Sequence, residues 1–218
     1  MRSGSTLLKA LLGSDASVSH LSEVDLFTLN KNQEELYEYL SGLSEHQYIV
    51  VKRPATFIYP DYPPVFLPEA KNIVLHRHPY WVVYSLRNML IETGSTISTE
   101  PAYLLDHWVK VYKQLLEAFP PEHENNVYVN YEQLTQNPSA QTKRLFKFIG
   151  IRKLWGTKSY QKPKSHFWQW GSDDQGAKIE SLSVQSPTDY PDTLNVWPLI
   201  EKHVELLEVA EKLSLKIK

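Results

Sequence analysis

Three short runs of apolar, largely β-branched residues constrain this chain most. They are Tyr48-Ile49-Val50-Val51, Ile73-Val74-Leu75 and Val127-Tyr128-Val129. None alternates cleanly between apolar and polar, so each suits a strand buried on both faces, as in a parallel sheet. Ser17 to Leu21 is a fourth, shorter candidate. The segments between them have a helical period. Ser5 to Leu12 sets Leu7, Leu8, Leu11 and Leu12 on one side, and Gln33 to Leu43 follows the same rule. Pro79 to Ile91 begins on a proline, where the missing N–H costs little. Tyr103 to Phe119 repeats Leu104, Trp108, Tyr112, Leu115 and Phe119 at helical spacing. Ser139 to Ile149 lies between Asn137-Pro138 and Gly150, and Val196 to Leu213 reads as one closing amphipathic helix. Strands separated by helices imply an α/β fold, a three-layer parallel sheet flanked by helices. Ligands of such a sheet sit at the carboxyl ends of its strands.

The composition excludes several classes. At 218 residues the chain is expected to form a single domain over 1–218. The formal charge of −2 gives no global basic field of the kind that gathers nucleic acid. There is no cysteine, so disulfides, zinc–thiolate centres and thiol nucleophiles are ruled out. No apolar run reaches the roughly 18 to 20 residues of a membrane span, and Ser3-Gly4-Ser5-Thr6 interrupts any leader-like stretch. The expectation is a soluble, cytoplasmic protein.

Two segments carry the chemistry. In Arg2-Ser3-Gly4-Ser5-Thr6-Leu7-Leu8, a glycine and three hydroxyl residues stand directly before an apolar helix. Backbone N–H groups at a helix start, with hydroxyls beside them, form an anion cradle. Arg2 adds a fixed, bidentate cation. The bland alternative is a helix cap. The pattern is not a Walker A loop, because no lysine ends it. In Ile73-Val74-Leu75-His76-Arg77-His78-Pro79, Arg77 stands where a buried strand ends and a helix begins. Ser85 follows eight residues on, about two helical turns later. An arginine and a hydroxyl so placed can grip one phosphate; the bland alternative is a surface ion pair and an ordinary helix serine. His76 and His78 do not suggest a metal site, since no other His or acidic residue keeps ligand spacing with them.

Taken together, these segments resemble the sulfotransferase family that uses 3′-phosphoadenosine 5′-phosphosulfate (PAPS), in the branch with an R-S-G-S/T-T loop. Arg2 to Thr6 match the loop that holds the 5′-phosphosulfate. Arg77, Pro79 and Ser85 match the family's R-x-P segment with its later serine, which hold the 3′-phosphate. A third match runs through Tyr128-Val129-Asn130-Tyr131-Glu132-Gln133-Leu134, Asn137-Pro138 and Phe148-Ile149-Gly150-Ile151, and is mostly structural. The resemblance covers roughly residues 2 to 151 and implies a P-loop-like nucleotide-hydrolase fold.

It also implies roles. Family members often place a glutamate about twenty residues after the loop arginine, and Glu23 stands there, with Asp25 and His20 in reserve. A carboxylate there would take the acceptor's proton. Lys52, at the end of a core strand, would steady charge on the sulfo group or the leaving phosphate oxygen, and Arg53 is the adjacent alternative. The implied partners are the sulfonated nucleotide and a hydroxyl or amine acceptor, with no metal required. Residues 152–195, with the aromatic and basic stretch Lys162 to Lys178, are expected to cap the nucleotide. In the family a buried strand precedes the loop, whereas only Met1 precedes Arg2. A central strand is therefore expected to be missing or supplied by another segment. That keeps open a second reading, a non-catalytic nucleotide-binding relic, and a third, a P-loop kinase.

Overall fold

The computed structural model describes residues 4–20, 32–52, 69–161, 180–187 and 189–217. In chain order these contain α1 (Ser5–Leu12), β1 (Val18–His20), α2 (Gln33–Gly42), β2 (Tyr48–Val50), β3 (Asn72–His76) and α3 (Pro79–Glu92). There follow α4 (Pro101–Ala118), β4 (Asn126–Asn130), α5 (Tyr131–Gln136), α6 (Pro138–Ile149), α7 (Val196–Lys202) and α8 (Val204–Lys212). The chain has the α/β architecture read from its sequence, and both strand pairings are parallel.

Among the described residues the strands form two pairs rather than one continuous ladder. β1 pairs with β2 through Val18 and Tyr48, Ser19 and Ile49, and His20 and Val50. β3 pairs with β4 from Asn72 opposite Asn126 to His76 opposite Asn130. Asn72 Nδ2 donates to Asn126 Oδ1 (3.0 Å) at one end of that ladder, which fixes its register.

The β3–β4 pair is covered on both faces, as its unalternating sequence requires. Ile73, Leu75, Val127 and Val129 face a cluster with Leu7, Leu11, Leu12, Leu134, Leu145 and Phe146, drawn from α1, α5 and α6. Tyr48 and Val50 of β2 pack against the same cluster, so both strand pairs meet beneath α1. Tyr128 points the other way, into a second cluster built by α3, α4, α7 and α8. Its hydroxyl donates to Phe119 O (2.8 Å) at the end of α4. α4 is pinned to the strand ends by two further bonds. Trp108 Nε1 donates to Arg77 O (3.1 Å), and Tyr112 Oη donates to Leu75 O (3.3 Å). Both rings are fully buried. Truncating Trp108 to alanine would cost about 3–5 kcal/mol, mostly through the cavity left behind.

The expectation of one closing helix from Val196 to Leu213 is corrected. The helix breaks at His203, whose backbone leaves the helical region (φ −89°, ψ 89°). His203 Nδ1 then accepts from Leu206 N (3.3 Å) and caps α8. A histidine is an uncommon N-cap residue, so nothing in the local composition signals the stop.

Candidate functional site

The carboxyl ends of β2, β3 and β4 and the start of α1 supply the site. Gly4 precedes α1 with φ +88°, a left-handed conformation that strongly favours glycine. A second constraint acts there: a Cβ on Gly4 would collide with the ring of Tyr131. The first intrahelical bond runs from Leu8 N to Gly4 O (3.1 Å). The amides of Ser5, Thr6 and Leu7 therefore lie outside the helical ladder, as first-turn amides do. The helix start carries a partial positive charge to which they add directed donors.

Lys52 comes to this helix start. It lies two residues beyond β2, and its Nζ donates to Thr6 Oγ1 (3.0 Å). Two residues 46 positions apart are so joined. The contact is half-buried.

Arg77 arrives from the other strand pair. It is 7% exposed, and its guanidinium carbon stands 4.5 Å from the centre of the Tyr131 ring. Tyr131 thus touches both arms of the candidate anion site: Gly4 at one edge and Arg77 over its face. The β3–β4 register explains this. His76 opposes Asn130, so the next residue of each strand, Arg77 and Tyr131, emerges side by side. Glu132 locks the same corner, accepting from His78 N (3.1 Å) and from Asn130 Nδ2 (2.9 Å). Sequence reading treated Tyr131 and Glu132 as structural only. The signal that reveals them is the pairing register, which no single strand carries.

Ser85 sits two turns into α3 on its inward face and is 3% exposed. Arg77 and Ser85 are both buried, which argues against a surface ion pair for Arg77 and leaves the ordinary helix serine open for Ser85. His78 caps α3: its Nδ1 accepts from Tyr80 N (3.2 Å), which leaves Nε2–H to point at Ile217 O (3.4 Å). Burial pushes the His78 pKa down to about 4, against a smaller opposing effect of the Ile217 carbonyl. Burial first, and then Arg144, pushes His76 down to about 4. Both imidazoles are therefore neutral near pH 7.

Arg2, Ser3 and Glu23 lie outside the described residues, as do Asp25, Arg53 and the stretch Lys162 to Lys178. Among the described residues no cluster of three or more His, Asp or Glu converges to hold a metal. A separate open groove, where α4 meets the α7–α8 corner, is lined by Leu105, Asp106, Leu199, Lys202 and His203 and by none of the site residues. Its histidine is bound to Asp106 (3.0 Å) and is occupied in capping α8.

Comparison with known proteins identifies the family and the fold. A model described as "Sulfotransferase family" matches residues 33–155, more than half of the chain. No curated protein matches significantly. Several solved structures are similar in fold, and two illustrate it. One is a sulfotransferase domain from the curacin biosynthetic pathway, with a TM-score of 0.63 and 18% identity over 100% of this chain and 95% of that one. The other is a sulfotransferase domain from the Synechococcus PCC 7002 olefin synthase, with a TM-score of 0.63 and 17% identity over 100% of this chain and 92% of that one.

Proposed function

This chain belongs to the sulfotransferase family, and on that premise we propose that it transfers a sulfo group from PAPS to a hydroxyl or amine acceptor. The observation that carries the reading is the convergence of Lys52 and Arg77 on the start of α1. Lys52 reaches it through Thr6 and Arg77 through Tyr131. That arrangement joins two cations and a set of outward amides, a fit for a ligand with two phosphate groups.

In this reading Arg2, Ser3, Gly4, Ser5 and Thr6 hold the 5′-phosphosulfate, and Arg77 with Ser85 holds the 3′-phosphate. The acceptor oxygen or nitrogen attacks sulfur in line, and the bond from sulfur to the 5′-phosphate oxygen breaks. The acceptor proton passes to Glu23. The nucleotide leaves as 3′-phosphoadenosine 5′-phosphate, and Lys52 steadies the negative charge that collects on its 5′-phosphate. Charge preorganised in this way contributes on the order of 10² to 10³ in rate. No step calls for a metal. We place the whole activity in one domain, with residues 152–195 closing over the nucleotide.

Calorimetric titration with 3′-phosphoadenosine 5′-phosphate, beside adenosine 5′-phosphate and ATP, tests the donor site. Micromolar binding, about −8 kcal/mol, that requires the 3′-phosphate and disappears in Arg77→Ala is the expected result. Transfer of labelled sulfate from PAPS to a panel of acceptors then tests catalysis. Binding without transfer, across a broad panel, would favour the non-catalytic relic. Preference for ATP, with hydrolysis, would favour a kinase-like activity.

A further inference from the structure

Charge is unevenly distributed along this chain. The whole sequence has a net charge of −2, yet no Asp or Glu occurs between Glu132 and Asp173. Within 133–161 stand Lys143, Arg144, Lys147, Arg152, Lys153 and Lys158, so that stretch carries +6 and the remainder −8. All six residues are exposed, and Lys153 is paired with Asp15 (2.6 Å).

The same stretch holds the two most exposed large apolar side chains among the described residues, Leu154 at 78% and Trp155 at 79%. Their exposure is built in. Gly156 lies so close to α6 that a Cβ there would collide with Ser139 O and stand 2.7 Å from Lys143 N. Thr157 N donates to Thr142 Oγ1 (2.7 Å), on the same turn of α6. The loop is therefore docked by its glycine and threonine, and the two apolar side chains before them project outward. Lys143 Nζ stands 6.0 Å from the Trp155 ring centre. Lys147 follows one turn later on the same helix face.

A tryptophan and a leucine set among cations match the boundary of an anionic bilayer. The indole settles at headgroup level, the leucine enters the acyl boundary, and lysines attract anionic lipid. A protein partner fits less well. Specific protein interfaces bury about 1,200–2,000 Å² around an apolar centre, and two adjacent side chains do not provide one. A fluid surface demands no such complementary shape. We propose that the Leu154–Trp155 tip, with Lys143, Lys147, Arg152 and Lys158 about it, docks this chain peripherally on an anionic lipid surface. The proposal does not rest on the sulfotransferase chemistry: Arg152, Leu154, Trp155 and Lys158 stand at the very start of the 152–195 stretch, where Gly156 and Thr157 dock it on α6, and none of these side chains is assigned a contact with nucleotide or acceptor.

The test is co-sedimentation of the full chain with vesicles of phosphatidylcholine alone, or of phosphatidylcholine with about 30% phosphatidylserine. Binding to the anionic vesicles only is expected, and it should weaken as sodium chloride is raised. The double variant Leu154→Ser/Trp155→Ser should weaken it at least tenfold, a loss on the order expected for one buried tryptophan. Lys143→Gln/Lys147→Gln should weaken it roughly 25-fold, about fivefold per cation. All four positions are exposed, and circular dichroism confirms that each variant is folded; the lysine pair decides the matter if the apolar pair is not. Equal binding to both vesicle types, binding to neither, or anionic binding unchanged in the folded variants would overturn the proposal. Retention of a single-stranded oligonucleotide without vesicle binding would also overturn it and assign the patch to nucleic acid.

Discussion

Arg77 lies with its guanidinium 4.5 Å above the ring of Tyr131. The arginine directly follows β3 and the tyrosine directly follows its parallel neighbour β4, so the contact is a product of the β3–β4 register. A cation held over an aromatic face is worth about 0.5–2 kcal/mol. Tyr131→Ala should therefore weaken binding of 3′-phosphoadenosine 5′-phosphate by roughly two- to thirtyfold, and Tyr131→Phe, which keeps the ring, should restore most of it. Titration calorimetry on both variants checks this. If Tyr131→Phe binds as poorly as Tyr131→Ala, the hydroxyl matters and the ring does not orient Arg77.

The other edge of the same ring meets Gly4. Gly4→Ala imposes two separate penalties, the left-handed backbone at φ +88° and the clash with Tyr131. The backbone penalty alone is about 1–2 kcal/mol. We expect lower thermal stability and weaker nucleotide binding. Combining Gly4→Ala with Tyr131→Ala should relieve the steric part, so the double variant should be more stable than the sum of the two single losses. A double-mutant cycle of unfolding free energies measures this directly. Strict additivity would mean that the two residues do not touch.

Lys52 tests the transfer step rather than binding. Its ammonium group donates to Thr6 at the start of α1. Lys52→Met keeps the length of the side chain and removes the charge. Turnover should fall by about 10² to 10³, with a smaller change in nucleotide affinity. Lys52→Arg should recover part of the rate. Steady-state kinetics that separate kcat from KM give the answer. A variant that loses affinity and keeps its turnover would make Lys52 a binding residue instead.

The legible part of this structure was local. Each buried run became a strand within a residue or two, because unbroken β-branched runs leave few alternatives. Pro79 and Pro138 both mark the first turn of a helix, and Gly150 ends α6 at φ +93°. Arg77, Lys52 and the Gly4 loop stand out as candidates because charge and glycine at a strand end or helix start have a direct chemical meaning. Tyr131 had none of these marks. Its role depends on which residue of β3 lies opposite which residue of β4, and that is a relation between segments 54 positions apart. The division into two strand pairs was likewise invisible in any one run, since it concerns which edges meet. The break at His203 was missed for a simpler reason: the apolar period continues on both sides of it, and only the backbone turns.

His76 and His78 make the last prediction, one of stability against pH. Burial holds both pKa values at about 4 in the folded chain, below the usual 6.5. In the unfolded chain each binds a proton near pH 6.5, so between pH 6.5 and 4 the unfolded state holds more protons. Stability must then rise with pH through that window. It is fully present above about pH 6.5, falls as the pH drops, and levels off below about 4. Each histidine contributes at most about 3 kcal/mol. Asp15, lowered to about 2, loses its contribution only below its usual value of 3.8, and Glu205, also lowered, only below 4.5, so neither acts between pH 7.5 and 5.0. Urea unfolding at pH 7.5, 6.0 and 5.0 should show a falling midpoint. His78→Asn keeps a side chain able to cap α3 and removes one titration, so it should flatten the curve in part; His107, also lowered by burial, keeps a share of the slope. A midpoint independent of pH from 7.5 to 5.0 would mean that both rings are solvated enough to take up protons in the folded state.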